Sequence, residues 1–225
     1  MSSHLPLFLS IVAAYLLGSL SFAVIVSRSM GLSDPRTYGS GNPGATNVLR
    51  SGNRRAAVLT LAFDALKGYV PVLLVLAFGG PFGLDERAAA FVGLAAFLGH
   101  LWPVFFKFEG GKGVATAAGV LLGLNPVLGA ATLLTWVLVA GFFRYSSLAA
   151  LAAAAFAPFY QALLWGVDLG LVAVTAMSVL LVWRHKANIH KLLAGTESRL
   201  GQKAAAAPSA APKKAPRNRS PRKGH

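Results

Sequence analysis

The sequence predicts an all-α, polytopic integral membrane protein of about seven transmembrane helices, with its N-terminus outside and its C-terminus in the cytoplasm. Three observations lead there. The 225 residues are 55% hydrophobic and only 12% charged, with a mean hydropathy of +0.60, a composition outside the range of ordinary soluble domains. Apolar runs recur along the chain at lengths near the roughly 20 residues that a helix needs to cross a hydrocarbon core of about 30 Å. Basic residues gather between alternate runs, as the positive-inside rule requires of cytoplasmic connections.

The first run, Leu5 to Val26, is too long for the apolar region of a signal peptide. It has no basic stretch before it and is followed by Arg28 rather than a small-residue cleavage site, so it predicts a retained helix. Ala56 to Phe78 and Ala88 to Phe106 come next, separated by a connection carrying Asp85, Glu86 and Arg87. The long run Val114 to Gly141 crosses twice: Lys112 and Arg144 both belong on the cytoplasmic side, and the uncharged Asn125-Pro126 in "LGLNPVLG" supplies the reversal. Its first limb, Val114 to Leu124, is short for a complete span. Leu148 to Trp165 and Leu169 to Trp183 complete the set.

Residues 1–202 therefore read as one membrane domain, and 203–225, "KAAAAPSAAPKKAPRNRSPRKGH", as a disordered basic cytoplasmic tail with almost nothing to pack. Much of the net charge of +14 lies at this end of the chain. The tail either meets anionic membrane lipids, at roughly 1 kcal/mol per basic residue near the surface, or stays solvated. It has no aromatic residue on which bases could stack, so no nucleic-acid partner is expected. The absence of cysteine excludes disulfides, a thiol nucleophile and cysteine-ligated metals.

Three segments interrupt the apolar pattern with glycines and polar groups, and the predicted topology brings all three to the cytoplasmic side. The first, "GSGNPGATNVLR" from Gly39 to Arg50, contains the letters G-x-G-x-x-G but follows a transmembrane helix rather than a strand, so a dinucleotide loop is excluded by context. What remains is a loop rich in backbone N–H groups with hydroxyls at Ser40 and Thr46, amides at Asn42 and Asn47, and the guanidinium of Arg50. Such glycine turns form anion-binding concavities, and arginine presents a planar fork to phosphate or carboxylate. The second, "GHLWPVFFKFEGGKGVAT", approaches a Walker loop and fails it, since Phe106 and Gly113 stand where Gly and Ser or Thr are needed. A lysine between glycines at a helix N-terminus still favours an anion; a snorkelling lysine is the plain alternative. In the third, "WRHKANIHKLLAGTE", His185 and Asn188 are three apart on one helical face, with Ile189, Leu192 and Leu193 as an apolar stripe at the interface. Asp64 and Lys67, three apart inside the second run, can pair with each other, either lining the floor of a site or holding helices together.

Together, "GSGNPGATNVLR", "GHLWPVFFKFEGGKGVAT" and "RHKANIHKLLAGTE" resemble, in order and spacing, the PlsY family of integral-membrane glycerol-3-phosphate acyltransferases that use acyl-phosphate as donor. The resemblance spans about Leu5 to Gly201. It departs at Ser21, where the family usually has proline, at "SDPR", where "DIR" is commoner, and at Glu109, where many members have lysine. It implies a seven-helix enzyme of the bacterial inner membrane with a cytoplasmic site, transferring a fatty acyl group from acyl-phosphate to sn-glycerol 3-phosphate to give lysophosphatidic acid and inorganic phosphate. The resemblance makes Ser40, Arg50, Lys112, His185 and Asn188 the catalytic set, and Gly41, Asn42, Gly44, Thr46, Asn47, Gly110, Gly111, Gly113 and Glu197 the surrounding substrate-binding residues. No cofactor and no metal is expected; an enzyme forming acyl-phosphate is the implied upstream partner.

The base is the open element. The His-x4-Asp arrangement of soluble-type acyltransferases is absent, because Phe105 follows His100 at that spacing and His190 follows His185. A substrate phosphate is therefore expected to take the hydroxyl proton, without a covalent enzyme intermediate. Two other classes compete: a small-anion transporter, which predicts two related halves that the sequence lacks, and an anionic-lipid scaffold, which leaves Ser40, Asn42, Asn47 and Asn188 unexplained.

Overall fold

The computed structural model describes residues 4–202, and every regular element among them is helical. Ten α-helices follow in order: α1 (His4–Gly18), α2 (Phe22–Ser29), α3 (Ala45–Leu49), α4 (Arg54–Phe78), α5 (Glu86–Leu101), α6 (Val114–Leu124), α7 (Pro126–Phe143), α8 (Ser146–Trp165), α9 (Leu169–Arg184) and α10 (Lys186–Leu193). Four spans, Arg54–Phe78, Glu86–Phe106, Pro126–Phe143 and Ser146–Trp165, are long and apolar enough to cross a membrane by themselves. The pairs α1/α2 and α9/α10 qualify as broken spans, and α6, at 11 residues, is a shorter apolar helix. The tail expected at 203–225 lies outside the described residues.

The boundaries follow from local chemistry. Asn53, Asp85 and Asp168 each cap a helix with a side-chain oxygen, accepting from Ala56 N (3.0 Å), Ala88 N (3.0 Å) and Leu171 N (2.8 Å). The reversal expected at Asn125-Pro126 is a helix junction: Asn125 Oδ1 accepts from Val127 N at 2.8 Å, and Pro126 occupies the first helical position, where its missing N–H costs nothing. The first apolar run corrects the expectation of one continuous helix. It breaks between Gly18 and Phe22 and bends by 44°.

A buried charge accounts for what that break does. Lys67 on α4, only 3% exposed, donates to the carbonyl of Leu20, a group freed at the break, at 2.7 Å. Its ammonium also lies 2.9 Å from Asp64 Oδ1, one helical turn earlier. Asp64 is in turn 3.6 Å from His100 Nδ1 on α5, and that nitrogen meets Thr116 Oγ1 on α6 at 3.0 Å. Charges in hydrocarbon persist only where partners surround them, and here one network joins α4, α5, α6 and the α1/α2 break. Small residues let the helices approach closely: a Cβ on Gly68 or Gly119 would run into the backbone of Thr116 or Ala65 across the α4/α6 contact.

Both α4 and α7 pack on the short α6. Over α6 lies a cleft lined by Val58 and Leu61 of α4 and by Leu133, Trp136 and Val137 of α7. Val58, Leu61 and Val137 are more than half exposed, as suits a wall that meets lipid. Lys67→Met would leave Asp64 buried beside His100 without its ammonium, and is expected to cost about 3–5 kcal/mol. Thermal unfolding of the purified protein in detergent checks this, and the paired change Asp64→Asn with Lys67→Met should recover much of the loss.

Candidate active site

The first polar segment folds around one amide. Asn47, 2% exposed in α3, accepts Ser40 N at 2.9 Å through Oδ1 and donates through Nδ2 to Pro35 O at 2.7 Å and Tyr38 O at 3.2 Å. Those bonds close the glycine turn, in which Gly39 and Gly41 take φ of 60° and 68°, a region that favours glycine. Asn47 thus organises the loop with its own hydrogen bonds. Ser40 is held at the turn, Thr46 Oγ1 meets Ser146 Oγ on α8 at 3.2 Å, and Arg50, just past α3, donates to Ser198 Oγ.

The second segment is a tight loop against the end of α5. Gly111 N donates to His100 O at 3.1 Å, and any side chain on Gly111 would collide with His100 Nε2. Gly110 is equally confined, against the carbonyls of His100 and Leu101. Gly113, at φ 84°, caps α6 beneath Phe97 and Leu101, so Lys112 sits directly before a helix N-terminus. Its ammonium donates to Asn188 Oδ1. Burial pushes the Lys112 ammonium down to about 8; Arg50, Lys191 and Arg184 act in the same sense, and Glu197 opposes them.

The third segment turns sharply. Between α9 and α10 the axis bends by 57°, with His185 at the junction. His185 Nδ1 donates to Leu181 O at 2.8 Å, which leaves Nε2 as the acceptor of the neutral ring. His185 and Asn188 remain linked by Asn188 N donating to His185 O. Asn188 Nδ2 and Ser147 Oγ both donate to Glu197 Oε1 at 2.8 Å, so residues past α10 are drawn back over the start of α8. Leu200 N donating to Arg144 O at 2.7 Å holds the same stretch.

These parts surround a cavity of about 720 Å³. Ser40, Asn42, Gly44, Thr46, Asn47, Arg50, Lys112, Gly113, His185, Asn188 and Glu197 line it, so all five residues expected to be catalytic are brought together. Gly41, Gly110 and Gly111 are absent from the lining: the last two pack behind the loop, because their carbonyls accept Arg184. The remaining wall is apolar, running through Ala117 and Leu121 of α6, Ala150, Ala154 and Ala157 of α8, and Val174 and Met177 of α9. Asp64 and His100 also reach the lining, so the two roles considered for Asp64, floor of a site and tie between helices, coexist. Sequence reading gave no role to Ser146, Ser147 and Ser198, and placed Arg184 only in the interfacial third segment. Only Arg184 carried a signal, as a cation next to a singled-out histidine. No group of three or more His, Cys, Asp or Glu residues suited to a metal occurs among the described residues.

The glycerol-3-phosphate acyltransferase family model matches residues 8–195. A glycerol-3-phosphate acyltransferase of Paraburkholderia phytofirmans is 64% identical over 201 residues, covering 89% of this chain and 94% of its own. One from Ralstonia nicotianae is 65% identical over 192 residues, covering 85% and 93%. Among solved structures, PlsY, an integral membrane glycerol 3-phosphate acyltransferase, superposes in its glycerol 3-phosphate form with a TM-score of 0.81 at 38% identity, covering 87% of this chain and 96% of that one. Its lysophosphatidic acid form gives 0.79 at 37% identity, covering 86% and 95%.

Gly111→Ala places a methyl group against the His100 ring and is expected to displace Lys112 and remove most turnover. The strain is on the order of 1–3 kcal/mol, so the variant should remain folded in a thermal melt while failing the activity assay. Wild-type turnover would show that the loop tolerates movement.

Proposed function

The chain belongs to the glycerol-3-phosphate acyltransferase family of integral membrane enzymes, and from that premise we propose that its acyl donor is acyl-phosphate. The acyl group passes to the 1-hydroxyl of sn-glycerol 3-phosphate, giving lysophosphatidic acid and inorganic phosphate. One observation carries the reading: a single cavity joins a polar end, with Arg50, Lys112 and the N-terminus of α6, to a long apolar wall open beside α4 and α7. Two phosphate-bearing substrates, one with a fatty chain, match that division.

In the proposed reaction the glycerol hydroxyl oxygen attacks the acyl carbonyl carbon. The bond from that carbon to the phosphate oxygen breaks, phosphate leaves with the electron pair, and the hydroxyl proton passes to a phosphate oxygen. The donor is already activated, so no enzyme nucleophile is required. Arg50, Lys112 and the free N–H groups at the start of α6 offset the repulsion between two anions and hold them in line. His185, with Nδ1–H engaged by Leu181 O, presents Nε2 to orient the hydroxyl. The chain enters sideways between α4 and α7, and an enzyme that makes acyl-phosphate supplies it. Seven crossings of the bacterial inner membrane, with the N-terminus outside and the polar end in the cytoplasm, fit the basic connections.

Purified protein given acyl-phosphate is expected to release phosphate only when glycerol 3-phosphate is present, and Arg50→Ala or Lys112→Ala should abolish that release. Silence of the wild type would sink the donor assignment. Because the free enzyme's Lys112 is a cation below about 8 and neutral above it, kcat/KM should fall as pH rises through that value. Substrate-assisted proton transfer predicts that no acidic limb vanishes with His185→Ala. A histidine-like limb lost in that variant, together with all turnover, would make His185 the base.

A further inference from the structure

Neither of the two cations flanking His185 in sequence, Arg184 and Lys186, lines the cavity. Arg184, the last residue of α9, is absent from the lining; its Nε donates to Gly111 O at 3.1 Å and its Nη2 to Gly110 O at 2.6 Å. Its guanidinium carbon lies 6.0 Å from the Trp183 ring centre, and that ring meets Trp102, at the end of α5, at 6.0 Å. The glycine loop is therefore held twice over: by α5, through Gly111 N on His100 O, and by α9, through both arms of one guanidinium. The loop has no regular structure of its own and ends in Lys112, whereas Arg184 is bonded covalently to His185.

From this geometry we propose that Arg184 is a positioning residue, which locks the loop carrying Lys112 to the helix end carrying His185 and so holds the two halves of the site in register. The inference rests on the acyltransferase reading above. A planar fork is needed because two carbonyls must be served from one fixed position, and a lysine ammonium is a single point charge on a flexible stem. Misplacing reacting groups by about 1 Å can cost on the order of 100-fold in rate. That loss would appear without Arg184 touching either substrate.

Arg184→Lys tests this, since it keeps the charge and loses the fork. Its kcat is expected to fall about 100-fold, with a thermal melt in detergent close to wild type. The second readout is the alkaline limb of the pH profile, which a general loss of stability would leave in place. Lys112 is faced by Glu197, Arg50, Lys191, Arg184, His185 and Asn188, and its limb sits near 8 because it is buried. A loop released in Arg184→Lys hydrates the ammonium and moves the limb up toward the ordinary lysine range although no charge has been removed. Arg184→Gln should lose as much turnover and move the limb further, because a neighbouring cation has also gone. A wild-type kcat or an unmoved limb in Arg184→Lys overturns the proposal, and so does failure of both variants to fold, which would make the residue purely structural. The limb can also be followed through the pH dependence of glycerol 3-phosphate binding, which needs no acyl donor, so an error in the donor assignment leaves this test standing.

Discussion

The ion pair between Asp64 and Lys67 is the constraint around which the molecule is arranged. Two charges nearly excluded from solvent are tolerable only where compensating partners surround them. The engagement is specific: Lys67 takes the carbonyl of Leu20 at the helix break, Asp64 approaches His100, and His100 meets Thr116. A straight first helix would keep that carbonyl for itself. The network therefore ties a break in one span to the relative positions of α4, α5 and α6. The carbonyl of the same His100 then holds Gly111, so the loop that carries Lys112 hangs from the buried network by one residue.

In the site, Lys112 and Arg50 are partnered by neutral groups. Lys112 donates to an asparagine oxygen and Arg50 to a serine hydroxyl, while Glu197, the nearby carboxylate, accepts from Asn188 and Ser147. A direct ion pair would oppose an incoming phosphate with a competing charge. An amide or hydroxyl is displaced at much lower cost, and the burial that lowers the affinity of Lys112 for its proton also strengthens its attraction for a dianion. Glu197 acts one step away, orienting the amide that meets Lys112.

Much of this was legible in the chain. Apolar runs, alternate basic connections and the Asn125-Pro126 reversal mark the helices because membrane insertion is governed by composition over about 20 residues. The break at Ser19 to Ser21 was not read from the chain, although Ser21 stood out against the family's proline; Lys67, which takes the freed carbonyl of Leu20, sits far away in sequence on α4. The letter of Asn47 carries no direction; only the fold shows both ends of its amide engaged on its own loop while the residue also lines the cavity. That the carbonyls of Gly110 and Gly111 accept from Arg184 was not legible either, since the partner lies on α9.

Residue types and their spacing by themselves determined that the chain is an all-helical membrane protein, and they singled out three polar segments whose chemistry suits phosphate. Those properties depend on local sequence: hydropathy sums along a run, and glycine, proline and asparagine act on the backbone where they stand. Only the tertiary structure decided which of the cations face the cavity and which brace it, since Arg50, Lys112 and Arg184 are all cations as letters and differ in what surrounds them. The same holds for Asp64, whose network, through Lys67 and His100, reaches three other segments of the chain: the α1/α2 break, α5 and α6. Long-range contacts set direction and burial, and direction and burial turn a charged residue into a ligand, a brace or a keystone.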